Sequence, residues 1–118
     1  VNIALWVVQI LLGVAFLGAG VMKSTKSKED LAPKMPWVND YSLGTLRLVG
    51  VTELLAGIGL ILPWATGIAP ILTPLAASGL VVIMVLAAVV HARRKEYPGI
   101  ATNVVLGALA LFVALGRF

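Results

Sequence analysis

Four apolar runs, at about residues 3–22, 43–62, 68–90 and 100–116, take up most of this 118-residue chain and leave nearly all of its charge to the segments between them. Each run has about the 20 residues that a helix needs to cross the hydrocarbon core of a bilayer. Backbone in hydrocarbon must satisfy its N–H and C=O groups within the segment, so the runs are expected to be helices. The apolar and polar alternation of a membrane barrel strand is absent. Only 12% of the residues are charged and 60% are hydrophobic, against about 25% charged in a soluble domain, which rules out a water-soluble globule of this length. The expected fold is all-α, a single membrane domain over residues 1–118 built as a four-helix transmembrane bundle with up-down-up-down topology, and its first partner is the lipid bilayer.

The first run resembles a secretory signal in position, but no basic residue precedes it and it outlasts a typical h-region, so it is read as a retained span. Charge placement then predicts orientation. Lys23, Lys26, Lys28 and Lys34 lie in the 23–42 connection, and Arg93, Arg94 and Lys95 lie between the last two runs, on the same side of an up-down bundle. Against these seven stands Arg117 at the other side, while Arg47 lies about a turn inside the second span. The positive-inside rule therefore predicts an inner (plasma) membrane protein with the Lys-rich loop cytoplasmic and both termini outside. The same asymmetry accounts for the net charge of +4 without nucleic acid. The loop also carries Pro33, Met35, Pro36, Trp37 and Tyr41. Its aromatics read either as headgroup anchors or as a lid over a pocket opening to the cytoplasm, and Trp6 and Trp64 read as anchors at the opposite interface.

The absence of cysteine removes disulfide exchange, thiolate nucleophiles and Cys-ligated metals from this chain. A lone His91 with five acidic residues in the whole chain gives no metal site. Walker loops, dinucleotide fingerprints, HExxH pairs and nucleophile elbows are also missing. Redox work would need a bound cofactor or a partner subunit.

The remaining signal is the polar groups inside the spans, where each is costly. Glu53 sits near the middle of the second run, about 15 Å from either end, too deep for a short side chain to reach water. Its neighbours at helical spacing, Leu46, Gly50, Gly57 and Leu60, make a small-residue face that should turn into the bundle. Gln9 with Gly13, Phe16 and Gly20, His91 with Ala77, Leu80, Met84 and Ala87, and Asn103 with Gly107, Ala110 and Ala114 form matching stripes on the other three spans. Facing inward, these polar groups could line a pocket open on the side of the Lys-rich loop, or simply hydrogen-bond between helices. A buried Glu favours its neutral form unless a cation is close, and Arg47, Lys23 and His91 are the available cations. Arg47 is about 120° away from Glu53 around the same helix, so a partner on another helix is expected. Pro70 and Pro74 fall in the first turns expected for the third span, where Pro74 is expected to remove a backbone bond and kink it.

The stretch Gly50-Val51-Thr52-Glu53-Leu54-Leu55-Ala56-Gly57-Ile58-Gly59-Leu60-Ile61-Leu62-Pro63 resembles the DoxX-like family of small four-span membrane proteins. Ala76 to Leu80, His91 to Glu96, the Gly20-Val21-Met22-Lys23 end of the first span and Asn103 extend the likeness over nearly the whole chain. The family is named for a small subunit of a thiosulfate:quinone oxidoreductase, and distant animal relatives resemble assembly factors for membrane receptors. The resemblance therefore implies an accessory role beside a membrane or peripheral redox partner rather than a stand-alone enzyme, with a quinone as the implied cofactor. The four-helix form also resembles the vitamin K epoxide reductase bundle, whose thiol chemistry this cysteine-free chain cannot perform. The candidate residues are Glu53 and His91 for proton handling, and Lys23, Arg47, Asn103 and Gln9 for holding a lipophilic ligand. An assembly factor or scaffold with no chemistry of its own, and a small-solute transporter that would need several copies, are the competing expectations. A homo-oligomer is compatible with all three.

Overall fold

The computed structural model describes residues 1–118, all helix and short connections. Helix α1 spans Asn2–Thr25, α2 is the single turn Lys28–Leu31, a 3₁₀ turn covers Pro36–Asp40, and α3 (Leu43–Thr66), α4 (Leu72–Arg93) and α5 (Tyr97–Arg117) follow. The four long helices are apolar enough to cross a membrane. At 21 to 24 residues each they reach about 30 Å or more at a rise of 1.5 Å per residue, the thickness of the hydrocarbon layer. The four-span, all-α bundle expected from the apolar runs is the fold observed.

The chain is arranged as two antiparallel hairpins, α1 with α3 and α4 with α5. The first is very close-packed, and its glycines explain why. A Cβ on Gly20 would lie 2.5 Å from the Leu54 backbone nitrogen, and one on Gly57 would lie 2.9 Å from the Gly13 carbonyl oxygen. Neither backbone can move aside, so only glycine lets these two helices approach this far. Outward, the bundle presents Val7, Leu11, Val14, Leu55, Val82 and Val105, all exposed. Large apolar side chains outside and polar ones inside are the distribution expected of a protein in lipid contact.

The two hairpins meet mainly at the end away from the 26–42 connection. There Thr73 Oγ1 donates to the Gly59 carbonyl at 2.8 Å, a Cβ on Gly59 would lie 2.9 Å from the Ala76 Cβ, and Leu5 packs onto Gly116. A core of Leu12, Phe16, Leu60, Leu80, Met84 and Val113 fills the middle of the bundle between the helices. At the loop end, Leu31, Val38 and Leu46 form a separate small core that seats α2 and the 3₁₀ turn on α3.

Two proline expectations change. The third span starts at Leu72, not Ile68, so residues 67–71 form the turn and Pro74 is the third residue of α4. A first-turn residue has no intrahelical acceptor for its N–H, so Pro74 costs no hydrogen bond and starts the helix instead of kinking it. Pro63, expected in the connection, lies inside α3, which continues to Thr66 and ends on Gly67 in the left-handed conformation with φ 72°. Pro63 cannot donate to the carbonyl four residues back, which is that of Gly59. Thr73 of α4 supplies the missing donor, so one proline creates a specific junction between hairpins.

Candidate functional site

Between the hairpins, in the half of the bundle nearest the loop, the helices part and enclose a cavity of about 770 Å³. Its walls come from the last turns of α1, the first half of α3, the end of α4 and the start of α5. Met35, Trp37 and Tyr41 line it from the loop side, with the Trp37 and Tyr41 rings edge to face at 6.1 Å. Leu48 and Thr52 of α3 and Leu86 and Val89 of α4 are exposed residues that also line it. The cavity is thus open sideways, at the depth of the apolar belt.

The polar centre of this cavity is Glu53. Its carboxylate is 3% exposed and accepts from Lys23 Nζ at 2.6 Å, with the Lys23 side chain 13% exposed. This is the interhelical cation that burial of a mid-span Glu demands. Lys23 reaches it because α1 runs on to Thr25, past the apolar run, and because Gly50 lets the Lys23 backbone press against α3. The ammonium also stands 5.4 Å from the Trp37 ring centroid, a cation–π distance. Asn103 completes the polar lining. It is 8% exposed, and its Nδ2 is enclosed without a hydrogen-bond partner.

Of the residues singled out from the sequence, the cavity collects Glu53, Lys23 and Asn103 and leaves three elsewhere. Arg47 donates from Nη1 to the Lys23 carbonyl at 2.9 Å and to the Lys26 carbonyl, and so caps the end of α1. His91 stacks on Gly99 and lies 3.0 Å from Glu96 Oε1, bracing the α4–α5 turn. In the same turn Arg94 donates to Asp40 of the loop, and that hydrogen bond, the largest of several causes, holds the guanidinium pKa above its ordinary value. Gln9 belongs to the opposite end, where its Nε2 donates to the Leu60 carbonyl at 2.7 Å and its Oε1 accepts from Arg117 Nε at 2.6 Å.

Arg117, which enters the sequence argument only as the one basic residue of the far side, is a buried polar group at this end. It is 8% exposed, donates from Nη1 to Asn2 Oδ1 at 2.8 Å, and lies 4.5 Å and 5.7 Å from the Trp64 and Trp6 ring centroids. Arg117, Gln9 and the Leu60 carbonyl tie α5, α1 and α3 together, so the two tryptophans act as a clamp on a cation. The only available signal was one arginine and two tryptophans assigned to the same interface.

The glycine-flanked Glu of the second long span thus lies in a cavity beside its Lys23 partner and an unpaired amide. A family model matches residues 7–113. The chain belongs to the DoxX-like family. No curated protein and no solved structure matches it. In this DoxX-like protein the residues that carried the resemblance fall into two groups. Gly20, Gly50 and Gly57 bring α1 and α3 together, and Lys23, Glu53 and Asn103 line the space that the second hairpin leaves open.

Proposed function

We propose that this DoxX-like protein is an accessory subunit of a membrane redox system, sited in the plasma membrane with its Lys-rich loop cytoplasmic, and that it holds a quinone-like molecule in the cavity beside Glu53. The observation that carries this reading is the open, largely apolar volume of about 770 Å³ against a buried Lys23–Glu53 pair. A protein serving only as a scaffold has no use for a void at its one buried carboxylate, and close packing there would be more stable. Transport through a single copy is disfavoured because Leu12, Phe16, Leu60 and Leu80 fill the bundle beyond the cavity.

The residues present fit such a ligand. Trp37 and Tyr41 offer flat surfaces to a ring, the sideways opening admits an apolar tail, and Lys23 offers a donor to a ring oxygen. A quinone supplies two-electron, two-proton chemistry when bound. The chain supplies position and, at the Lys23–Glu53 pair, a donor and an acceptor through which a proton can pass. The electrons come from the redox partner.

Native mass spectrometry of protein extracted from its own membrane in a gentle detergent tests the reading. The expected result is a retained lipophilic adduct of isoprenoid quinone mass that disappears in Ala19→Trp, which projects an indole from the α1 wall of the cavity one turn from Lys23. Wild-type protein without such an adduct, or an adduct that survives Ala19→Trp, overturns it.

A further inference from the structure

The hydrogen bonds that join the two hairpins are unevenly placed. Those of Thr73 and Arg117 lie at the end away from the loop and engage buried side chains. On the loop side the only one runs from Arg94 to Asp40, whose side chains are 29% and 50% exposed. Asp40 closes the 3₁₀ turn Pro36–Asp40, which rides on the first hairpin because Val38 packs with Leu31 and Leu46. Arg94 belongs to the second hairpin, where its Nε lies 3.3 Å from Glu96 Oε1, the oxygen that His91 Nδ1 meets at 3.0 Å. The pair crosses the rim of the cavity. Tyr41, next to Asp40, and Arg93, next to Arg94, both line it. In the same turn as Asp40, Trp37 holds its ring 5.4 Å from the Lys23 ammonium.

We propose that residues 36–41 are a lid between the aqueous phase and the Lys23–Glu53 pair, that Asp40–Arg94 is the strap that fastens it across the rim, and that release of the strap admits water to the pair. An exposed ion pair contributes little to stability and is screened by salt, so this fastening is reversible where the buried contacts of the far end are not. The hairpins therefore part at the loop end first. The cavity opening between Leu48 and Leu86 serves a lipophilic molecule arriving from the bilayer, since both residues are apolar and exposed. A proton has to come from water, and the loop end is where the Lys23 side chain, 13% exposed, lies nearest to it. The purpose of the lid rests on the reading of the cavity as a ligand site, but its opening can be measured with no ligand present.

The test measures aqueous access to the cavity of the full chain in lipid nanodiscs. Because the chain has no cysteine, Ala19→Cys on the α1 wall is a single reporter, and sulfonatoethyl methanethiosulfonate, an anionic thiol reagent that lipid excludes, is the probe. Asp40→Asn and Arg94→Gln should each raise the rate of modification about two- to fivefold, the factor that an exposed pair is worth. Asp40→Glu keeps the pair and should leave the rate as it is. Local charge acting on the anionic reagent alone would speed modification in Asp40→Asn and slow it in Arg94→Gln, so a rise in both reports opening. Ile68→Cys, in the turn at the opposite end, should react at one rate in every background. Unchanged or opposite effects of the two substitutions, no reaction of Ala19→Cys in any background, or an equal rise at Ile68→Cys overturns the lid. Ala87→Cys, on the α4 wall of the same cavity, takes the place of the reporter if Ala19→Cys does not fold. Failure of the lid leaves the quinone adduct test untouched, and loss of that adduct leaves the lid standing.

Discussion

At the scale of single residues the bundle is organised around where charge can be buried. The spacing of Leu46, Gly50, Glu53, Gly57 and Leu60 marked one face of α3 in the sequence, and these five are its buried residues. The identity of the counter-ion was not legible in the same way. Three cations were available, and the choice depends on how far α1 continues beyond its apolar run and on which helix packs against Glu53. Arg47, closest in sequence to Glu53, is drawn off by the carbonyls of Lys23 and Lys26. Removing one partner from a buried pair leaves an uncompensated charge and costs about 3–5 kcal/mol, whereas replacing both by apolar groups is often neutral. Glu53→Met and Lys23→Met should therefore each lower the thermal unfolding temperature in detergent, and the two together should restore most of it. Additive losses in the double variant would show that the two side chains act separately.

At the scale of elements, helix spans follow from apolar run lengths, but helix ends follow from hydrogen-bond bookkeeping that a run length does not contain. Run lengths put Pro63 just beyond the second span and Pro74 inside the third, where it should kink the helix, and the structure uses both residues differently. Pro74 initiates α4, and Pro63 sits within α3 and frees the Gly59 carbonyl for Thr73. The long connection hid two further short elements because Ser27 caps α2 through the Asp30 N–H, a local signal within a charged loop. Thr73 is fully buried, so Thr73→Val keeps the shape and orphans the Gly59 oxygen, at a cost of about 1–2 kcal/mol. In a Pro63→Ala background residue 63 regains its N–H and can serve that oxygen itself. The cost of Thr73→Val should then fall to a few tenths of a kcal/mol, by thermal or denaturant unfolding of the four proteins. An equal cost in both backgrounds would mean that Thr73 does not replace the proline's missing donor.

At the scale of the whole molecule, the two ends of the bundle differ in construction, and the difference is what makes a one-sided cavity. Away from the loop, the Thr73–Gly59 junction, the Leu5–Gly116 contact and the Arg117 clamp hold the hairpins together. On the loop side, the hairpins are bridged chiefly by the Arg94–Asp40 pair, and the cavity opens between them. A pocket on the loop side was legible from the small-residue stripes, but Gln9 and His91 were assigned to it on spacing alone. Which end each belongs to depends on how the second hairpin docks, and one apolar helix face says little about its partner. The sidedness proposed for the bundle in the membrane rests on a separate property, the seven cations on loop-side segments against Arg117 alone beyond them. Since the chain has no cysteine, single-cysteine labelling can read it directly. Ser27→Cys in the loop and Ile68→Cys in the opposite turn are both exposed positions. In intact cells stripped of their outer barrier, a membrane-impermeant maleimide should modify Ile68→Cys and spare Ser27→Cys, and in inverted vesicles the pattern should reverse. The opposite pattern would place the cavity's loop end outside, and would make Arg117 with Trp6 and Trp64 the cytoplasmic clamp.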